Sequence, residues 1–325
     1  MSTTIKFSPY TFARVAVMKS ELLGRDSYDR MQKMGYNEIL RLLQDTTYKA
    51  EIDSFDVSTE GINTIEHALN ANLCASLRKL HRISQGGMRL VVAAFGLRYD
   101  MENVKVIVRA ISSGIAKEDV QKLMYESLNY PATLWETLLA QTSIEGVLKH
   151  LPFTIQGTSL FELENSLDRY YSSRMNAFIG TLSAKNKVIA GFVEHELEVR
   201  NINTILRLHG IKEYNIVDYL ITPSSFVKRL VGMSSISDIV TALRNAKKTT
   251  LQGDEKDLLV ALEIDMEQIL LTKQIRLMHA GLLTANYILG YLFAKEIEVR
   301  NLKALIKGKK LGLPEEFVQS VVVSR

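Results

Sequence analysis

Apolar residues recur along most of this chain at intervals of three or four positions, the interval that places them on one face of an α-helix. The clearest run comprises Ile62, Ile65, Leu69, Leu73, Leu77 and Leu80. One stretch with β-leaning composition, 318–323, is short and follows Pro314-Glu-Glu, which is a helix-start signal. We therefore predict an all-α fold.

One pattern of apolar and polar positions occurs three times. The segment Glu196-Leu-Glu-Val-Arg-Asn-Ile (196–202) returns 100 positions later as Glu296-Ile-Glu-Val-Arg-Asn-Leu (296–302). A weaker copy, Arg98-Tyr-Asp-Met-Glu-Asn-Val (98–104), lies 98 positions before the middle one. A period near 100 is the size of a small domain rather than of a solenoid repeat. We predict three related helical modules, residues 1–125, 126–222 and 223–325.

The middle copy has two apolar sides on a helical wheel. Phe192, Val199 and Ile202 cluster on one side, and Val193 and Leu197 lie nearly opposite. A surface helix has a single apolar stripe. This segment is therefore predicted to be the central helix of its module, packed between neighbours.

The polar residues of the motif invite an active-site interpretation. Glu196 and Arg200 have the i,i+4 spacing of an intrahelical ion pair, and the first module has Arg98 and Glu102 there, with the signs exchanged. A chemical step would need a fixed sign, whereas a structural pair would not. We expect the motif residues to lie in module cores or to line a cavity, and not to bind a small molecule; they are Glu196, Glu198, Arg200, Asn201, Glu296, Glu298, Arg300 and Asn301.

Composition excludes several classes of protein. The net charge is +4, from 40 basic and 36 acidic residues among 325, so nothing demands a nucleic-acid partner. The single cysteine, Cys74, excludes a disulfide framework and disfavours a cysteine-ligated metal site. We expect it to be a small buried hydrophobic residue.

One segment resembles a membrane span. Residues 277–294 contain no Asp, Glu, Lys or Arg, and 18 residues is the lower limit for crossing a bilayer. The matching segment of the second module carries Lys185 and Lys187, which a span tolerates poorly. We therefore predict a buried core helix here instead.

Motifs that carry chemistry are missing. The sequence has no glycine-rich phosphate loop and no paired histidines, so we predict no cofactor and no metal. The basic clusters Lys247-Lys248 and 307–310 lie near predicted helix ends, where they would compensate the helix dipole. Contact with an acidic partner or with anionic lipid is the alternative for these clusters.

Several stretches resemble a known family. They are the two strong motif copies, Tyr10-x-x-Ala-Arg (10–14) with Leu22-Leu23, Leu167-Asp-Arg-Tyr-Tyr171, and Lys303-Ala-Leu-Ile-Lys-Gly-Lys-Lys-Leu-Gly-Leu-Pro-Glu-Glu-Phe317. Together they resemble the C subunit of the archaeal and bacterial A/V-type ATP synthases, the equivalent of the d subunit of the eukaryotic vacuolar ATPase. The first module departs most, because Arg98 and Glu102 differ from the motif.

The resemblance implies a non-catalytic rotor subunit without a cofactor. Its three modules would form a funnel-like socket with pseudo-threefold symmetry, bound peripherally to the cytoplasmic face of the membrane. The socket would sit on the proteolipid ring, and the central shaft, formed by the D and F subunits, would enter its cavity. Torque would then pass between ion-driven rotation of the ring and ATP synthesis.

Two alternatives remain beside this interpretation. A general helical scaffold with other protein partners fits the same repeats. An enzyme could use the charged residues of the motif, and a structure in which no cavity joins Glu198 or Arg200 to other titratable groups would remove that hypothesis.

Overall fold

Sixteen α-helices form the described part of the chain. The computed structural model describes residues 8–54, 62–181, 187–211, 213–249, 251, 258–276 and 285–322. The helices are α1 (Pro9–Ser20), α2 (Arg25–Lys33), α3 (Tyr36–Gln44), α4 (Lys49–Ser54), α5 (Ile62–Ile83), α6 (Gly86–Ser113), α7 (Lys117–Leu123), α8 (Ala132–Leu139), α9 (Ile144–His150), α10 (Leu160–Thr181), α11 (Lys187–Leu208), α12 (Ser225–Val231), α13 (Ile236–Asn245), α14 (Leu258–Arg276), α15 (Ala285–Leu311) and α16 (Glu315–Val321). Those ranges contain no β-strand, so the predicted all-α class is confirmed.

The order of helix lengths repeats along the chain. Two short helices precede two long ones in α2–α3–α5–α6 (interrupted by α4), in α8–α9–α10–α11 and in α12–α13–α14–α15. A short helix follows each set: α7, a 3₁₀ turn at Ile216–Tyr219, and α16. The motif copies lie on α6, α11 and α15, the second long helix of each set. The division at residues 125 and 222 itself stays a prediction.

The six long helices contact one another in a closed cycle. Within each set the long pair packs together, α5 on α6, α10 on α11 and α14 on α15. Between sets α6 packs on α10, α11 on α14, and α15 returns to α5. The last contact joins the two ends of the chain and closes the cycle.

The motif helices are buried on two sides, as predicted. In α11, Phe192 and Ile202 are buried on one side, and Val193 and Leu197 on the other. The corresponding side chains of α6 and α15, such as Met101 and Val299, are buried too. A layer of three rings joins these helices where Phe95, Phe192 and Phe293 meet, with ring centroids 4.0–6.0 Å apart.

The segment 277–294 lies partly outside the described residues, since these resume at Ala285. The predicted continuity of the helix across 277–284 is therefore outside them as well. No helix in the described ranges combines the length and the apolar character that a bilayer crossing requires.

Glycines end the three motif helices. Gly114, Gly210 and Gly312 have φ values of +66°, +82° and +65°, the left-handed region that side chains with a Cβ atom avoid.

We expect Gly210→Ala to lower the free energy of unfolding by about 1–2 kcal/mol, through backbone strain at positive φ. No atom lies within 4 Å of the added Cβ, so crowding does not contribute. The matched control is Gly191→Ala inside α11, where the space is equally open and φ is not positive. That variant should gain about 0.5–1 kcal/mol from helix propensity. Urea denaturation measures both, and equal effects at the two positions would contradict the assignment of the cap.

Candidate functional site

The first residue of each motif copy points to a common axis. Arg98 of α6 pairs with Glu196 of α11 and, at 3.2 Å from Nη1, with Glu296 of α15. The hydroxyl of Tyr99 donates to Glu296 as well. The predicted intrahelical pair of Glu196 with Arg200 is therefore wrong. The prediction fails because three equivalent helices face one another here, so each charged side chain finds its partner on another helix.

This geometry explains why the first motif copy has arginine where the other two copies have glutamate. Three glutamates at one axis would repel, whereas a guanidinium can pair with the other two carboxylates at once. Burial alone would lower the pKa of Arg98, but Glu196 and Glu296 raise it. Arg98, which we interpreted as a departure from the motif, is the residue that allows the three copies to meet.

The acidic residue at the third position of each copy binds the segment that follows in the cycle of modules. Asp100 accepts a hydrogen bond from Asn129 Nδ2 at 2.8 Å. Glu198 pairs with Lys248. Glu298 accepts from the Leu23 amide at 2.5 Å, from the Tyr48 hydroxyl at 2.8 Å and from Lys295 Nζ at 2.9 Å.

The motif arginines bind the neighbouring long helix of their own set. Arg200 pairs with Asp168 on α10, and Arg300 pairs with Glu267 on α14. Asp168 also accepts a hydrogen bond from Lys105 of α6 at 2.7 Å. Asp168 and Glu267 carried no signal in the sequence that would have paired them with the motif.

Asn103 and Asn201 bind the backbone of the segment that follows the long helices of their set. Asn201 donates to the Ile221 carbonyl and accepts from the Ile221 amide, both at 2.8 Å. Asn103 makes the same two bonds with Tyr125 at 2.7 Å. Asn301 occupies the third equivalent position and is likewise buried.

A further ion pair recurs three times around the cycle. Near the end of each motif helix, a basic residue reaches the first long helix of the next set. The pairs are Arg109 with Glu164 at 2.6 Å, Arg207 with Glu263 at 2.7 Å, and Lys307 with Glu66 at 2.7 Å. We did not identify them from the sequence, although the register of the repeat aligns positions 109, 207 and 307.

A cavity of about 520 Å³ lies beside the axis, between α6, α10, α11 and α14. The side chains along α11 become more exposed towards its carboxyl end, from 20% at Glu196 to 41% at Arg200 and 69% at Arg207. The cavity therefore opens at that end. Its charged lining residues are Lys105, Arg109, Glu164, Asp168, Glu196, Arg200, Arg207, Glu263 and Glu267.

The cavity bears on the enzyme hypothesis. The cavity joins Arg200 to other titratable groups. The condition that would have removed the enzyme hypothesis is therefore not met. Most of these charges neutralise one another in pairs, however, as in Arg109–Glu164 and Arg207–Glu263. Burial lowers the pKa of Arg200 to about 10, and nearby Arg98 adds to the shift.

Apolar side chains are exposed just beyond the carboxyl ends of the motif helices. Ile115, Ile211 and Leu313 directly follow the three cap glycines and are 48%, 40% and 40% exposed. In the opposite direction, the phenylalanine layer lies one helical turn beyond the Arg98 cluster. From Arg98 to Arg109, eleven residues at 1.5 Å each, the distance along the helix is about 16 Å. The cavity therefore has a charged lining and lies on the carboxyl-terminal side of the phenylalanine layer.

Other candidate chemistry is weak. No group of three or more potential metal-ligating side chains occurs in the described ranges. Cys74 is buried, and burial raises the pKa of its thiol to about 11. Of the basic clusters, Lys309 pairs with Glu315 at 3.0 Å, and Lys310 lies 4.4 Å from the centroid of the Tyr36 ring.

An all-helical protein with a closed cycle of long helices and a charged cavity beside its axis is the class that this geometry defines. The sequence profile of the family described as ATP synthase (C/AC39) subunit matches residues 11–321. This chain therefore belongs to that family, and the resemblance inferred from its motifs is confirmed.

Relatives of known name cover nearly the whole chain. It is 27% identical to the C subunit of the A-type ATP synthase of Methanococcoides burtonii, over 97% of this chain and 93% of that protein. It is 28% identical to the protein of the same name from Methanosarcina acetivorans, over 97% and 92%. The corresponding C subunit from Halobacterium salinarum is also 28% identical, over 97% of both chains.

The two equivalent glutamates Glu198 and Glu298 should differ in their contribution to stability. Glu298→Ala leaves Lys295, which is 3% exposed, without its partner, so we expect a loss of about 3–5 kcal/mol. Glu198 is less buried, and Glu198→Ala should cost about 1 kcal/mol. Chemical denaturation of both variants makes the comparison, and equal losses would contradict the described burial.

Asp100→Asn should change how stability depends on pH. Burial raises the pKa of Asp100 to about 6, against hydrogen bonds from Ser127 and Asn129 that lower it. The folded state therefore binds this proton more tightly than the unfolded chain, and wild-type stability falls as pH rises from about 4 to about 6. The variant lacks this penalty, so it should gain on the order of 2 kcal/mol over wild type between pH 4 and pH 7. Urea melts at both pH values measure the gain; an unchanged difference would show that Asp100 ionises as freely in the folded protein as in the unfolded chain.

Proposed function

We propose that this protein is the non-catalytic central-stalk subunit that couples the proteolipid ring of an A/V-type ATP synthase to the central shaft. The observation that carries the proposal is the closed cycle of long helices with a charged cavity beside its axis, in a chain that belongs to the ATP synthase (C/AC39) subunit family. Its work is mechanical: it transmits torque between ion transport through the ring and ATP synthesis.

Three related modules, 1–125, 126–222 and 223–325, would build this coupling with pseudo-threefold symmetry. The contacts that support this interpretation recur at equivalent positions and follow one another around the axis. The pairs Arg109–Glu164, Arg207–Glu263 and Lys307–Glu66 each join one proposed module to the next. The acidic residues Glu198 and Glu298 likewise reach into the following module.

Stiffness in this coupling comes mainly from packing and buried hydrogen bonds. The three recurring ion pairs are partly exposed, and such pairs contribute roughly 0–1 kcal/mol each. The buried clamps of Glu298 and Asn201 cost several times more to break, because each leaves polar groups unsatisfied in the interior. Torque would therefore be carried by helices that are held on two sides.

The cavity would receive one of two partners. A partner that enters it from the carboxyl end of α11 would reach Glu196, which pairs with Arg98. The proposed occupant is the shaft formed by the D and F subunits. The proteolipid ring would bind elsewhere on the protein, at the cytoplasmic face of the membrane, so that the attachment to the membrane is peripheral.

Depletion and reconstitution test this function. Membranes that hold the assembled ATP synthase are stripped of this protein, and ATP-driven ion pumping is measured before and after the purified protein is restored. We expect pumping to be lost on depletion and restored by the full chain, while the purified protein alone hydrolyses no ATP. Copurification with other partners and pumping that persists without it would favour the general scaffold instead. Turnover by the isolated protein would support the enzyme hypothesis.

A further inference from the structure

The wall of the axial cavity contains polar atoms that the protein does not satisfy. The Tyr171 hydroxyl, Glu196 Oε2 and Asn203 Oδ1 are buried and have no hydrogen-bond partner among the described residues. All three residues line the same cavity. An unpaired buried polar atom is destabilising, so three in one wall indicate that something else supplies their donors.

Charge at the inner end of the cavity indicates what kind of donor is missing. One guanidinium, Arg98, faces two carboxylates, Glu196 and Glu296. Arg300 is held by Glu267, so it does not complete the balance. Burial raises the pKa of Glu196, Arg98 opposes the shift, and Glu296 adds to it. Glu196 and Glu296 therefore share one basic partner, and Glu196 Oε2 is left for a positively charged donor.

The shape of the cavity favours a protein segment over a small molecule. Small-molecule sites are mostly apolar inside, whereas here most of the lining side chains are charged or polar and the exposed Phe161 is part of the lining. A protein segment with polar side chains at its tip and apolar side chains behind the tip matches this arrangement. Asn203 lies two helical turns closer to the mouth than Glu196, about 10 Å, so the two residues would contact different parts of the segment.

We propose that Glu196 and Tyr171 receive one arginine or lysine side chain from the tip of the segment that enters this cavity, and that Asn203 accepts a second hydrogen bond from the same segment. The inference rests on the proposed function, in which that segment belongs to the central shaft. The contact is a charge-assisted hydrogen bond in a place that water reaches poorly, and it sets the depth at which the shaft stops.

Three variants of the full-length protein test the proposal. Glu196→Gln removes the charge and keeps the shape, and Arg98 retains Glu296 as its partner. Tyr171→Phe removes only a hydroxyl that has no partner in the described part of the chain. The matched control is Ser172→Ala, which removes a neighbouring buried hydroxyl on α10 that is also unpartnered there but does not line the cavity. Thermal melts verify that each variant folds, and none should lose stability.

Binding is measured by calorimetry with the purified central shaft of the same ATP synthase. We expect Glu196→Gln to raise the dissociation constant by at least about 10-fold and Tyr171→Phe by about 3–10-fold, with Ser172→Ala unchanged. If wild type binds the shaft and the two cavity variants bind equally well, water satisfies these atoms and the proposal is overturned while the function stands. If wild type does not bind the shaft, both the function and this inference fail.

Discussion

Three copies of one helix facing a common axis impose the constraint on which this structure depends. Identical side chains at equivalent positions are brought together, so a glutamate that is harmless in one copy becomes repulsive when three meet. The structure resolves this by placing Arg98 opposite Glu196 and Glu296. Because the first copy has arginine at this position, the other two copies can have glutamate there.

Apolar packing around the axis and the buried hydrogen bonds contribute to the structure in different ways. The layer of Phe95, Phe192 and Phe293 is non-directional and supplies cohesion. The hydrogen bonds of Glu298 and Asn201 are directional and determine which segment follows which helix. Since the contact of α15 with α5 joins the two ends of the chain, both kinds of interaction act across the closure. A closed cycle of this kind resists twisting better than an open array of the same helices.

Local features of the structure could be predicted from the sequence, but the side-chain pairs that join different helices could not. The helical class, the two-sided burial of the motif helices and the cap glycines followed from spacing and residue type. The intrahelical pair of Glu196 with Arg200 failed, because i,i+4 spacing describes an isolated helix and carries no information about a neighbour. The pairing of Lys307 with Glu66 depends on closure of the chain, which periodicity alone does not reveal. A cavity was expected, but most of its lining residues could not be assigned for the same reason, since its wall is assembled from four helices spread along the chain.

The central claim is that the three motif helices surround one axis at equal spacing. Spin labels attached to cysteines that replace Ile115, Ile211 and Leu313 two at a time would measure it, and buried Cys74 would not react. Each label directly follows a cap glycine at equivalent positions of the repeat. Three similar distances by double electron–electron resonance are the predicted result. One distance close to the sum of the other two would indicate an open linear array and contradict the account.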